Sequence, residues 1–133
     1  MRSRSGSKKS EAAAAVLDAT APHLRGATTF AGEMADWGVI PTMLEGASHT
    51  SGVLLHKAPD GQCEAGLWVC TPGLWSCHVT RDELCHFLAG RCTYTHESGE
   101  VIEIEPDTAA FFPRGWMGTC HVHETVRKVY MIR

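Results

Sequence analysis

Four side chains in this sequence are of types that do acid/base chemistry, His78, Glu83, Lys128 and Tyr130, and one of them, Glu83, stands where packing alone does not explain it. Glu83 heads the run Leu84-Cys85-His86-Phe87-Leu88-Ala89, which is apolar at almost every position and which Gly90 closes. A carboxylate at the start of a buried strand must be paired, hydrogen-bonded or bound to a metal, because isolated charge is expensive to take out of water. Period-two alternation places Val126, Lys128 and Tyr130 on one face of a later strand, which makes Lys128 the partner to test. Such a Glu–Lys pair is either a stabilising ion pair or a tuned proton-transfer couple. His78 is either a ligand or substrate contact or an ordinary hydrogen-bonded histidine. His86 follows Glu83 by three residues and therefore faces away from it in a regular strand.

The elements that must position these groups read as short strands. From Thr28 onward apolar runs alternate with turn residues, as in an all-β sandwich or barrel. The spacing predicts strands over 38–44, 51–56, 63–71, 75–80, 83–88, 91–96, 101–105, 109–112, 118–123 and 127–132. Explicit turns separate them: Ala58-Pro59-Asp60-Gly61, Thr71-Pro72-Gly73, Glu97-Ser98-Gly99 and Glu105-Pro106-Asp107. Ile102 and Ile104 alternate with Glu103 and Glu105, so that strand has one wet face. On 75–80, Ser76 and His78 are expected to face a polar interior while Trp75, Cys77 and Val79 are covered by something else. Residues 1–27 read as an N-terminal tail, with a short helix or flexible chain at 10–18, and 28–133 as the barrel domain.

Composition narrows the function. A chain of 133 residues with 44% hydrophobic content supports one core. Twelve Lys and Arg against 15 Asp and Glu, a formal charge of −3, offer no basic field for nucleic acid. The local exception, Arg2, Arg4, Lys8 and Lys9, reads as a solvated tail. Six cysteines lie mostly in apolar runs without zinc-type spacing and with no secretory signal, so a reduced, cytoplasmic setting is expected. No apolar run is long enough to span a membrane.

Glu83, six residues, Gly90, a hairpin through Gly99 and then Pro113-Arg114-Gly115 follow the order of the two cupin motifs. With Ser51-Gly52-Val53, Pro59-Asp60-Gly61-Gln62, Gly66-Leu67-Trp68, Thr71-Pro72-Gly73, Asp82-Glu83, Phe112-Pro113-Arg114-Gly115-Trp116 and Glu124-Thr125-Val126-Arg127-Lys128, the chain resembles small single-domain cupins related to ureidoglycine aminohydrolase and the ethanolamine-utilisation cupins. The resemblance implies a jelly-roll-like antiparallel barrel whose mouth holds a ligand, often with a divalent metal such as Zn, Mn, Fe or Ni. Of the metal cupin ligands, the first His position is Ser76, the second is His78, the Glu is Glu83 and the last His position is Gly118. A third donor is therefore needed. If the strand after Gly118 runs straight, Cys120 faces inward while His121 and His123 face outward; a bulge exchanges the faces.

The expected metal set is thus His78, Glu83 and Cys120, or no metal at all. Trp68, Ser76 and Trp116 are the expected ligand contacts, and Glu83, Lys128 and Tyr130 the catalytic groups. Two functions are carried forward. One is a metal-dependent enzyme doing hydrolase, isomerase or lyase chemistry on a small polar metabolite. The other is a non-catalytic ligand-binding or accessory cupin with a degenerate metal site. A homodimer is expected from the doubly covered strands and from the resemblance.

Overall fold

The computed structural model describes residues 20–133. The helix expected at 10–18 and the basic cluster of the first ten residues lie outside them. Among the described residues nine strands form one curled antiparallel sheet: β1 (Ala35–Val39), β2 (Met43–Gly46), β3 (His49–Lys57), β4 (Glu64–Cys70), β5 (Gly73–His78), β6 (Glu83–His96), β7 (Val101–Ile104), β8 (Thr108–Phe112) and β9 (Met117–Ile132). The described residues contain no helix long and apolar enough to cross a membrane.

Two long strands carry the architecture. β9 pairs with β6 along nearly its whole length, while its other edge pairs first with β5 and then with β4. β6 in turn pairs with β8 through Glu83–Phe87 and with β7 through Cys92–Thr95. β3 and β1 extend the sheet beyond β4, and β2 extends it beyond β5.

The sequence predicts two strands on either side of a turn at Gly90, but the structure runs both into β6. Register shifts between Phe87 and Cys92 make a bulge there, with Gly90 at φ 79°. A Cβ at Gly90 would lie 2.0 Å from the Thr125 carbonyl oxygen, so glycine is what lets the bulge press against β9. The inserted residues also switch parity: Cys85 and Phe87 are buried before the bulge, Cys92 and Tyr94 after it. The expected strands 118–123 and 127–132 likewise merge into β9. Its even face points inward on both sides of the exposed Glu124: Cys120, Val122, Val126, Lys128 and Tyr130 are buried, and His121 and His123 are exposed. The expected strand 38–44 divides into β1 and β2 around Pro41.

The orientation expected for β5 is reversed. Trp75 is buried and pairs with buried Cys120, whereas Ser76 and His78 are exposed. The partner strand fixes this, because residues directly opposite on adjacent strands share a face. The wet face expected of β7 is present, with Ile104 buried and Glu103 exposed. Asp107 accepts the left-handed turn at φ 69°. Its carboxylate lies 2.8 Å from His86 Nε2 on the outer surface. Also on that surface, Arg127 Nη1 donates to the Ala27 and Phe30 carbonyls at 2.9 Å each, which ties the segment before β1 across the barrel.

Candidate functional site

Three rungs across β4, β9 and β6 build the wall of a cavity of about 380 Å³. Register sets Glu64, Ile132 and Glu83 in the first rung, Gly66, Tyr130 and Cys85 in the second, and Trp68, Lys128 and Phe87 in the third. Opposite stand Trp75 and Cys77 of β5 and Val79 just beyond it, with Tyr94, Phe112 and Trp37 completing the apolar lining and His78, Thr80 and Arg81 also bordering the cavity. The volume suits a small molecule.

Lys128 is 6% exposed. Its ammonium sits 4.4 Å from the Trp68 ring centroid and 5.6 Å from that of Phe87. It donates to Glu83 Oε2 at 2.8 Å, and Cys85 Sγ donates to the same oxygen at 3.3 Å. Burial alone pushes the Glu83 carboxyl up, but the Lys128 charge and hydrogen bond outweigh it and hold Glu83 below the usual carboxylate range. Burial pushes the Lys128 ammonium down, and the Glu83 carboxylate leads the effects that raise it above the usual lysine range. Tyr130 donates to Glu64 Oε2 at 2.7 Å. Burial first and then this bond push the phenol up. The Cys85 and Cys77 thiols are each pushed up to about 12, chiefly by burial.

Glu83, Lys128, Tyr130, Trp68 and His78 thus gather around one cavity. Ser76 stands outside its lining, exposed on the outer face. Trp116 is packed against Tyr94, Phe112 and His96 at 5.9, 5.2 and 5.3 Å between ring centroids. Cys120 faces inward but is sealed in that same core, 1% exposed. The neighbouring Cys92 thiol, then burial, pushes the Cys120 thiol up. Glu64 was not singled out from the sequence, although its alternation with Gly66 and Trp68 marks it as sharing their face. Trp37 comes from β1 and carries no such signal.

The comparisons with known proteins agree with the barrel fold. A profile of the EutQ-like cupin domain matches residues 57–130. The chain belongs to that family. Among solved structures this cupin is similar to a protein of unknown function from Pseudomonas syringae pv. tomato, with TM-score 0.70 and 18% identity over 77% of this chain and 45% of that one. It therefore spans less than half the length of the Pseudomonas protein. A putative ethanolamine utilization protein Q from Salmonella typhimurium aligns with TM-score 0.55 and 22% identity, covering 63% of this chain and 68% of its own. Ectoine synthase from P. lautus aligns with TM-score 0.55 and 14% identity over 63% of each chain. These likenesses show the fold. No curated protein matches the sequence.

The donor set of this cupin does not suit the divalent metal that the fold family implies. Glu83 Oε2 is already occupied by a buried ammonium, and a divalent cation beside that charge would be repelled. At Gly118 a Cβ would lie 2.0 Å from the Thr95 carbonyl oxygen, so the last His position cannot carry a side chain without moving β6. Among the described residues no three His, Cys, Asp or Glu side chains gather into a metal-holding group.

Proposed function

We propose that this cupin binds a small polar molecule in the barrel cavity and that the Glu83–Lys128 couple performs acid/base chemistry on it, of hydrolase, isomerase or lyase type. The observation that carries this reading is a buried, hydrogen-bonded carboxylate–ammonium pair bordering a cavity of about 380 Å³. Glu83 Oε1 has no hydrogen-bond partner among the described residues, so it is free to accept a proton from a bound molecule. Lys128 has three N–H donors, and one goes to Glu83. Another can stabilise the negative charge that develops on the ligand when Glu83 takes its proton. Trp68, against which Lys128 rests, limits where the ammonium can move. Tyr130, held by Glu64, offers its oxygen as a further ligand contact. The motif resemblance to cupins related to ureidoglycine aminohydrolase supports hydrolysis as one form of this chemistry.

The second reading is a non-catalytic binding module, and one observation favours it. Mutual attraction drives Glu83 down and Lys128 up, away from the neutral range where a general acid or base works best. A metabolite panel followed by thermal shift and product analysis separates the two. Catalysis predicts turnover that Glu83→Gln abolishes while the ligand still stabilises the variant. Ligand-induced stabilisation without product in the wild type would sink the catalytic half and leave the binding module.

A homodimer is part of the same proposal. Leu84, Phe111 and Met131 lie in one rung across β8, β6 and β9 and remain 56%, 59% and 48% exposed, an apolar row that a second copy would cover. A one-chain mass in sedimentation would count against it. The six free thiols support a reducing, cytoplasmic setting.

A further inference from the structure

The odd-numbered residues of β9 face away from the cavity, and two of them are histidines. The His121 and His123 rings stand 4.3 Å apart between centroids, as expected when alternate residues of a strand point the same way. β6 and β7 supply their surroundings: Thr93 is paired with His121 on one side and with Glu103 on the other. Thr93 Oγ1 donates to Glu103 Oε1 at 2.5 Å and lies 2.8 Å from His123 Nε2. A hydroxyl has one proton to give. With that proton on Glu103, the second contact is His123 Nε2–H donating to Thr93. The neutral His123 ring then carries its lone pair on Nδ1. Among the described residues neither that nitrogen nor the His121 ring has a protein hydrogen-bond partner.

This is how a metal-ligating imidazole is held: one ring nitrogen binds the ion while the other donates its proton toward a carboxylate, fixing tautomer and orientation. Here Thr93 relays that contact to Glu103. Metal–nitrogen bonds of about 2.0–2.1 Å put two nitrogens on one tetrahedral ion about 3.4 Å apart, within the span of rings 4.3 Å apart. We propose that His121 and His123 hold a divalent late transition-metal ion on the outer face of the barrel, with Thr93 and Glu103 positioning His123. A pair of imidazoles favours Cu²⁺, Ni²⁺ or Zn²⁺ over Mg²⁺ and Ca²⁺. Water completes the coordination, since no third protein donor gathers there among the described residues. Val122, between the two histidines, faces the opposite side of the sheet and is buried, so the site is independent of the cavity and of the function proposed for it.

The test uses the untagged full chain stripped with a chelator and titrated with Cu²⁺, followed by calorimetry and electron paramagnetic resonance. The expected result is a single saturable site with hyperfine coupling to two nitrogens. His121→Gln and His123→Gln should each remove it. Thr93→Val should weaken binding about 10–100-fold, the usual cost of losing an outer partner of a ligand, with an unchanged circular dichroism spectrum. Cu²⁺ affinity and spectrum unchanged by both histidine substitutions would overturn the site. Full affinity in Thr93→Val would overturn the positioning role and reduce the pair to an adventitious chelate.

Discussion

The first part of β9, through Val126, and the last part, from Lys128, share a strand, an inward parity and a partner in β6, yet they face different surroundings. Cys120 and Val122 meet Cys92 and Trp116 in a filled core, whose Trp75 and Tyr94 also form one wall of the cavity. Lys128 and Tyr130 border an open cavity. β5 flanks β9 as far as Val122 and β4 from Val126 on, and β4 brings Glu64 and Trp68 into the rungs. Parity therefore decides which side of the sheet a residue faces. What stands across the barrel decides whether that side is core or site.

The largest expected effect comes from breaking the polar half. Glu83→Gln leaves the Lys128 ammonium buried without its counter-charge and should cost about 3–5 kcal/mol, read by chemical denaturation. The double variant Glu83→Gln with Lys128→Met should recover part of that loss, because no orphaned charge remains. A double variant no more stable than Glu83→Gln would mean that the pair is not the unit described.

In the packed half, Trp116→Ala should cost about 3 kcal/mol by leaving a void among Tyr94, Phe112 and His96. Trp116 does not itself line the cavity, although Tyr94 and Phe112, on which it packs, do, so ligand affinity at a temperature where the variant is folded should fall only modestly. A ligand affinity lost with Trp116 would erase the distinction between the halves.

The pair also sets a pH window. Glu83 is held below its ordinary 4.5, so its contribution is present above that pH and is lost as pH falls through the depressed value. Lys128 is raised above its ordinary 10.5, so its contribution is present below that pH and is lost as pH rises through the elevated one. The stability difference between wild type and the double variant should be flat between these limits and change outside them. A slope near neutral pH would place the pair's titration elsewhere.

The smallest effect is expected at Trp68. Replacing it with Leu removes the ring under Lys128 and should cost about 1 kcal/mol beyond the lost apolar area. Trp68→Phe should restore most of that term, and equal stability of the Leu and Phe variants would remove the cation–π contribution.

Several parts of this picture were legible in the residues themselves. Alternation placed Lys128 and Tyr130 on one face and turned His121 and His123 outward, because a straight strand repeats every two residues. The charge of Glu83 within an apolar run called for a partner, and Lys128 is that partner. Other parts were not legible. Gly90 fits the end of a strand as well as a bulge, since a bulge and a turn use the same residue. The orientation of β5 is opposite to the expected one, because Trp75, Cys77 and Val79 against Ser76 and His78 is a pattern either face can satisfy.

The sequence by itself determined the all-β class, the inward parity of β9 and the need for a counter-charge at Glu83, all of which follow from local periodicity and the cost of burying charge. Only the tertiary structure decided that Cys120 is sealed in core while Lys128 borders a cavity, and that Thr93 and Glu103 reach His123. These depend on which strand lies beside which, a matter of long-range register that no local run of residues encodes.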